Sequence, residues 1–279
     1  VFYYTLANIA PKLCSKLRAI QLFAIAKTSI ILKYVADIVL KKFMEDFEVL
    51  EKEGLTLEIV SFVIRGTVVI ASGDNLGSTY IGGYKAPSSA FRKCQHCIAT
   101  ADDMNKEFNS HSFIPRTQDT HDHHIRKGLA PDVMHDVLEG VTQYEVKELL
   151  KHLIGEKVIT VDTLNGTIET FPYCYSDVQD KPTLISQTTL NSSDHSEKQK
   201  VRFLPIMIGH KISRSDPHWQ NFLLLCTIID VILAPVLSSS IMISYLAMLI
   251  EDHHTEFIKL YFCAITPKFH YMVTLSRMD

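Results

Sequence analysis

Residues 58–77, EIVSFVIRGTVVIASGDNLG, decide the fold class. Two Val- and Ile-rich runs, Glu58–Ile64 and Thr67–Ser72, flank Arg65-Gly66 and read as strands. The second leads straight into Gly73-Asp74-Asn75-Leu76-Gly77, a turn that leaves Asp74 just past a strand end. Working outward toward the amino end, Val35–Glu53 is an amphipathic helix. Val35, Val39, Phe43, Phe47 and Leu50 recur on one side, Lys41, Lys42, Glu45, Asp46 and Glu48 lie between them, and Gly54 ends it. Further out, Phe2–Leu6 and Leu17–Ala26 are apolar and aromatic and read as buried strands, the second equally compatible with a helix. Strand, strand, helix, strand, strand implies an α/β layer architecture.

Toward the carboxyl end the texture changes. Residues 102–128 are polar and His-rich with no clear period, and read as a loop. Pro131–Ile154 is helical, with Val133, Val137, Val141, Val146, Leu149, Leu150 and Leu153 supplying an apolar side. Residues 160–200 collect Asn, Ser, Thr, Asp and Pro and are expected to be flexible. Residues 203–265 are helical and apolar. Within them Phe222–Ile250 resembles a membrane span, but Asp230 and Pro235 interrupt it and Ser238-Ser239-Ser240 follows. The uninterrupted run falls short of the ~20 residues a bilayer needs, so a buried helix pair is expected and no membrane partner. The chain divides into residues 1–100, a core ending in a CxxC pair; 101–130, the His-rich loop; 131–265, a helical insertion; and 266–279, the start of a returning core segment.

At 279 residues, 47% hydrophobic and 21% charged, the chain is long enough to bury a real core. A net charge of -3 excludes a surface that is basic all over, so any nucleic-acid contact is local or supplied by other parts. Of Cys14, Cys94, Cys97, Cys174, Cys226 and Cys263 only one pair is close, and no signal peptide is recognisable. A reducing compartment suits this usage. Val1 and Asp279 both read as cuts into a longer chain.

Four constellations can carry chemistry. Asp74, on a rigid strand end, has the position that a Mg²⁺-binding carboxylate needs, although Asp-Asn before Gly is also an ordinary turn. Cys94-Gln95-His96-Cys97 can hold two corners of a zinc site, with other ligands from far along the chain; His270 is one candidate. The strand, CxxC and helix context of a thioredoxin active site is missing. Asp132, His135 and Glu139 share one helical face after Pro131. That face can ligate a metal or hold a supporting hydrogen bond, or it is simply an acidic first turn matched to the helix dipole. His121-Asp122-His123-His124, with His111 nearby, is metal-hungry in composition but reads as a solvated loop.

Taken in order, Gly73–Gly77, Cys94-x-x-Cys97, Asp132 to Gly140 (DVMHDVLEG) after Pro131, and Pro267-Lys268-Phe269-His270-Tyr271 resemble the animal transposases related to the CACTA (En/Spm-like) superfamily. These are similar in turn to the catalytic subunit of the V(D)J recombinase, which carries a CxxC shortly after its second catalytic Asp. The resemblance covers essentially the whole chain, and Asp132–Gly140 is its most specific part. It implies a partial RNase H-like core of strands plus helix, interrupted by a large mostly α-helical insertion, and cut-and-paste DNA strand transfer through an Asp-Asp-Glu triad. Asp74 matches the second Asp of the triad, Cys94 and Cys97 the zinc-binding pair, His270 the first of two distal histidines, and Asp132 and His135 the DxxH motif.

There are departures. The first catalytic Asp is expected before Phe2 and the catalytic Glu beyond Asp279, and Thr274 stands near the place of the second distal histidine. The connection between His124 and Ile125 is shorter than the family's. One carboxylate does not hold two Mg²⁺ ions, and three zinc ligands leave a position for water. The resemblance therefore implies a transposase-like chain that is inactive by itself, with structural Zn²⁺, with Mg²⁺ and transposon-end DNA as the parental cofactor and partner, a nuclear setting, and scope for a homo-oligomer. A domesticated scaffold binding DNA or protein without chemistry is the alternative. Its basic positions are Arg92, Lys93, Lys198, Lys200, Arg202, Lys211 and Arg214. A metal-dependent phosphohydrolase built on His123 or His124 with His135-Asp136 is the third.

Overall fold

A computed structural model describes residues 1–14, 16–34, 36–57, 59, 62–84, 90–116, 132–178, 181–186, 200–234 and 240–277. The chain is mixed α/β and mostly helical, with two small antiparallel sheets among the described residues. It forms two compact units.

The first unit contains residues 1–84, where described, with residues 90 and 116. The expected strands at its start form, but shorter: β1 (Phe2–Tyr4) pairs with β2 (Gln21–Ala24), with Tyr3 opposite Leu22 and Tyr4 opposite Gln21. Between them lies α1 (Pro11–Cys14), and after them α2 (Thr28–Tyr34) and α3 (Asp37–Lys52). Phe43, on the apolar side of α3, is the centre of an aromatic cluster. Its ring lies 4.1 Å from Phe23 of β2, 4.5 Å from Phe47 and 6.4 Å from Tyr4 of β1. Gly54 ends α3 as expected, at φ +82°, where a Cβ would strike Val63 Cγ1 at 2.3 Å.

The stretch that set the fold class is only partly right. β3 (Leu55–Thr56) pairs with β4 (Val63–Ile64). Residues 58, 60 and 61 lie outside the described residues. The expected strand Thr67–Ser72 is irregular apart from a bridge at Ala71, and Val69 and Ile70 are exposed. Strand-forming residues need a pleated surface to lie on, and a two-residue partner strand does not provide one.

The second unit takes in residues 91–115 and, where described, 132–277. Its elements are α5 (Ala101–Met104), a π-helix (Met134–Val141) continuing as α6 (Thr142–Gly155), α7 (Val161–Thr170), α8 (Lys200–Ile208), α9 (Pro217–Ile232), α10 (Ser240–Tyr261) and α11 (Pro267–Thr274). The first unit contributes α4 (Asn75–Ile81). Helices α9 and α10 are the expected buried pair, and no helix among the described residues is long and apolar enough to cross a membrane. The apolar side read from the sequence is the core stripe: Val137, Val141, Val146, Leu149, Leu150 and Leu153 are all fully buried. Phe222 and Leu225 of α9, Phe257 of α10 and Phe269 of α11 complete this core.

The flexible stretch expected over 160–200 begins with a helix instead. Thr160 caps α7 by accepting from Thr163 N–H, and Leu164 and Ile168, one turn apart, are buried. The Asn, Gly and Thr residues between them have weak helix propensity, but two anchored apolar positions and a cap outweigh it. Residues 187–199 lie outside the described residues, as do 117–131.

Candidate metal centre

Cys94, Cys97 and His270 come together in the second unit. Ligand atoms of all three lie within 4.8 Å of one another, and Cys97 Sγ is 3.1 Å from His270 Nε2. All three residues are buried. The loop holding the cysteines is tied down by Ile98 N–H donating to Ile114 O and by a Cys97–Pro115 bridge. Thr100 and Asp103 form a capping box that starts α5 directly after it. His270 is presented by α11, its ring edge-on to Phe113 at 4.6 Å, and the next residue, Tyr271, donates its hydroxyl to Lys93 O at 2.9 Å.

The electrostatics favour a thiolate here. The Cys94 thiol donates to Cys97, and this bond, with His270 beside it and Ala99 N–H donating as well, pulls Cys97 down to about 4 despite its burial. Cys94 moves the other way, pushed up by burial and by the neighbouring sulfur. His96 N–H donates to Cys94 Sγ at 3.2 Å. Backbone donors aimed at sulfur are how a tight Cys-x-x-Cys turn supports negative charge.

As a test of fit, two sulfurs and one imidazole are a zinc donor set. They supply three of the four corners. Thr274, in the place where a further histidine is expected, is buried, but its hydroxyl donates to Tyr271 O. His96 Nε2 is buried without a partner, and burial lowers the ring to about 4, so it stays neutral; it lies outside the cluster of three.

The Asp132, His135 and Glu139 face forms as read, but on a π-helix. Thr142 N–H bonds Val137 O, five residues back. His135 is bracketed by carboxylates: Nδ1 is 2.5 Å from Asp132 Oδ2, and Nε2 is 3.7 Å from Glu139 Oε2. Asp132 also accepts from His135 N–H at 3.1 Å. With a carboxylate at each ring nitrogen, His135 is a bridge within its own helix. The three belong to no metal-competent group among the described residues. Gly140, which follows, lets α11 come close, since a Cβ there would meet Lys268 Cδ at 2.4 Å. Lys268 donates to Glu139 O at 3.4 Å.

Behind this interface is a buried polar chain that the sequence reading missed. Asn221 donates to Glu145 Oε1 at 3.1 Å, Glu145 Oε2 meets His253 Nε2 at 2.5 Å, and His253 Nδ1 meets His254 Nδ1 at 2.9 Å. His254 Nε2 then meets Phe269 O at 2.9 Å, one residue before His270. A carbonyl only accepts, so His254 carries its proton on Nε2, and burial and His253 keep that ring neutral. His254 Nδ1 is then an acceptor, His253 Nδ1 must donate to it, and Glu145 and His253 share one further proton. The sequence signal was two adjacent histidines in a helix whose first half is apolar.

Asp74 is in the first unit. It is the N-cap of α4, its Oδ1 accepting from Gly77 N–H. It belongs to no metal-competent group among the described residues. The stretch Gly73–Gly77, expected to be a turn, is instead a helix start, and Asp74 serves it because Gly77 N–H is one of the helix-end donors that need an acceptor. Of the basic positions, Arg92 donates to Ile98 O, Arg202 pairs with Asp177 at 3.0 Å, and Lys211 and Arg214 are exposed. Lys198 and His121 to His124 lie outside the described residues. Compared with protein-family models, curated proteins and solved structures, the chain matches none of them.

Proposed function

We propose that this chain belongs to a zinc-stabilised, transposon-derived protein related to the CACTA-type DNA transposases, with an RNase H-like ancestry for residues 1–100 and 266–279 and a helical insertion over 131–265. The observation that supports this reading is the meeting of Cys94 and Cys97 with His270, 173 positions away from Cys97 in sequence. The resemblance pairs these residues, and nothing local in the chain would. When bound, zinc would supply a structural cross-link between the CxxC loop and α11. Cys94, Cys97 and His270 would hold it, His96 N–H would support the Cys94 sulfur, and Tyr271 would fix α11 against Lys93.

Strand transfer needs clustered carboxylates for Mg²⁺. Asp74 is the position of this sequence that matches such a role, and its carboxylate caps a helix. This favours a DNA- or protein-binding role without chemistry for the stretch by itself; the nuclear setting is what the transposase resemblance implies. The test is zinc content of the purified chain beside Cys94→Ser and His270→Gln, with duplex-DNA binding measured across salt concentrations. About one zinc per chain lost from each variant, with salt-sensitive DNA binding, supports the reading. Equal zinc in all three proteins removes its basis.

A further inference from the structure

The second unit holds another set of metal-competent side chains, built from the end of α6 and the start of α9. His152 is in the last turn of α6, Asp216 is the N-cap of α9, and His218 follows Pro217 in its first turn. One ligand atom from each lies within 4.8 Å of the others. His152 Nε2 is 3.4 Å from Asp216 Oδ2, and His218 Nδ1 is 3.8 Å from Asp216 Oδ1. The two imidazoles stack, with centroids 3.6 Å apart and planes 17° from parallel.

His218 decides the reading. Its Nδ1 is buried with no hydrogen-bond partner, while the ring bonds the Leu260 backbone. A carbonyl only accepts, so that bond places the proton on Nε2 and leaves Nδ1 with an unshared lone pair facing the cluster. Metal-binding histidines are set up in this way, one nitrogen held by a carbonyl and the other turned to the ion. Asp216 uses Oδ1 to cap Trp219 N–H at 2.9 Å, which fixes the carboxylate and leaves Oδ2 toward His152. Tyr261 packs edge-on against His218 at 5.1 Å, and its hydroxyl is also buried without a partner. A histidine stack with one ion pair would account for His152 and Asp216, but not for the unanswered nitrogen of His218.

We propose that His152, Asp216 and His218 form a second zinc site, distinct from the thiolate centre. Two imidazoles and one carboxylate suit zinc, leave its fourth position to water, and do not suit Mg²⁺ or Ca²⁺, which take oxygen ligands. The side chains keep 23%, 18% and 17% of their accessibility, so an ion reaches them from solvent. The ion ties the end of α6 to the start of α9. None of this depends on the transposase resemblance.

The experiment is cobalt(II) titration of the metal-free full chain, followed by absorbance, with zinc content measured in parallel. About two ions per chain are expected. One brings the intense sulfur-to-metal band of the thiolate centre, and the other only weak ligand-field bands. Asp216→Asn keeps a good N-cap, so the helix stays, and should weaken the second ion by roughly tenfold or more while the sulfur band persists. His218→Gln should do the same, and Cys94→Ser should remove the sulfur band alone. The proposal is overturned if Asp216→Asn and His218→Gln both take up the second ion with wild-type affinity, or if the wild type binds only the sulfur-ligated ion.

Discussion

The two units use apolar sequence very differently. In the second, Phe222, Phe257, Phe269 and five leucines are completely enclosed, and even Glu145, His253 and His254 are sealed from water. In the first, Phe43 gathers a small aromatic cluster, while Ile59, Phe62, Val69 and Ile70 stay exposed. Both are rich in Val, Ile and Phe. The difference is in the elements: long helices offer two or more broad faces to bury against, and strands of two to four residues do not. Hydrophobic content is a capacity for a core, and layering decides whether it is used.

The comparison predicts its own limits, from large effects to small. Phe257→Ala should cost about 3–5 kcal/mol of stability, as a ring removed from a closed core, whereas Ile59→Ser should stay within about 0.5 kcal/mol. Urea unfolding of both variants checks this, and equal losses would break the contrast. Glu145→Ala should cost about 3–5 kcal/mol, because it strips the partner from a buried histidine and an asparagine. Recovery in the double variant Glu145→Ala with His253→Phe would show that the unpaired group, and not the lost volume, is responsible.

A third prediction concerns pH. Cys97 is held near 4 in the folded chain against an ordinary thiol value of 9.0. A depressed acid adds stability that is complete above the ordinary value and is lost as pH falls toward the folded one. The metal-free chain should therefore gain stability from about pH 5 to about pH 8, and Cys97→Ala should flatten that slope. Cys94, displaced upward, acts in the opposite sense only on the alkaline side. A slope unchanged in Cys97→Ala would show that this thiolate does not form.

The last two effects are smaller. Gly140→Ala should lower stability by roughly 1 kcal/mol, since Lys268 must move aside from the π-helix, even though Ala is the better helix former. Asp74→Asn should be neutral within a few tenths of a kcal/mol, because Asn caps as well as Asp, and Asp74→Ala should cost about 1 kcal/mol. A much larger loss in Asp74→Asn would mean that the negative charge itself is used.

Much of the second unit was legible. The stripe from Val137 to Leu153 and the α9–α10 pair could be read because helical burial repeats at a fixed spacing that sequence displays directly. The Asp132, His135 and Glu139 face was legible for the same reason, though the π-helical register was not. Gly140 in that helix packs closely against Lys268, more than a hundred residues later, and such a contact is not displayed in the local pattern. The strand Thr67–Ser72 misled because β-forming residues report what a sheet would accept, not whether a sheet is there.

By itself, then, the sequence determined which residues can form helices, which of their sides are apolar, and which side chains have metal-binding chemistry. The resemblance named His270 as a partner for Cys94 and Cys97 and tertiary structure brought them together, while tertiary structure alone decided that Glu145 is enclosed with two histidines and that His152 faces Asp216 and His218. Local patterns are set by geometry repeating within a few residues. Convergence of distant side chains depends on how packed elements cross, and no short window of sequence contains that.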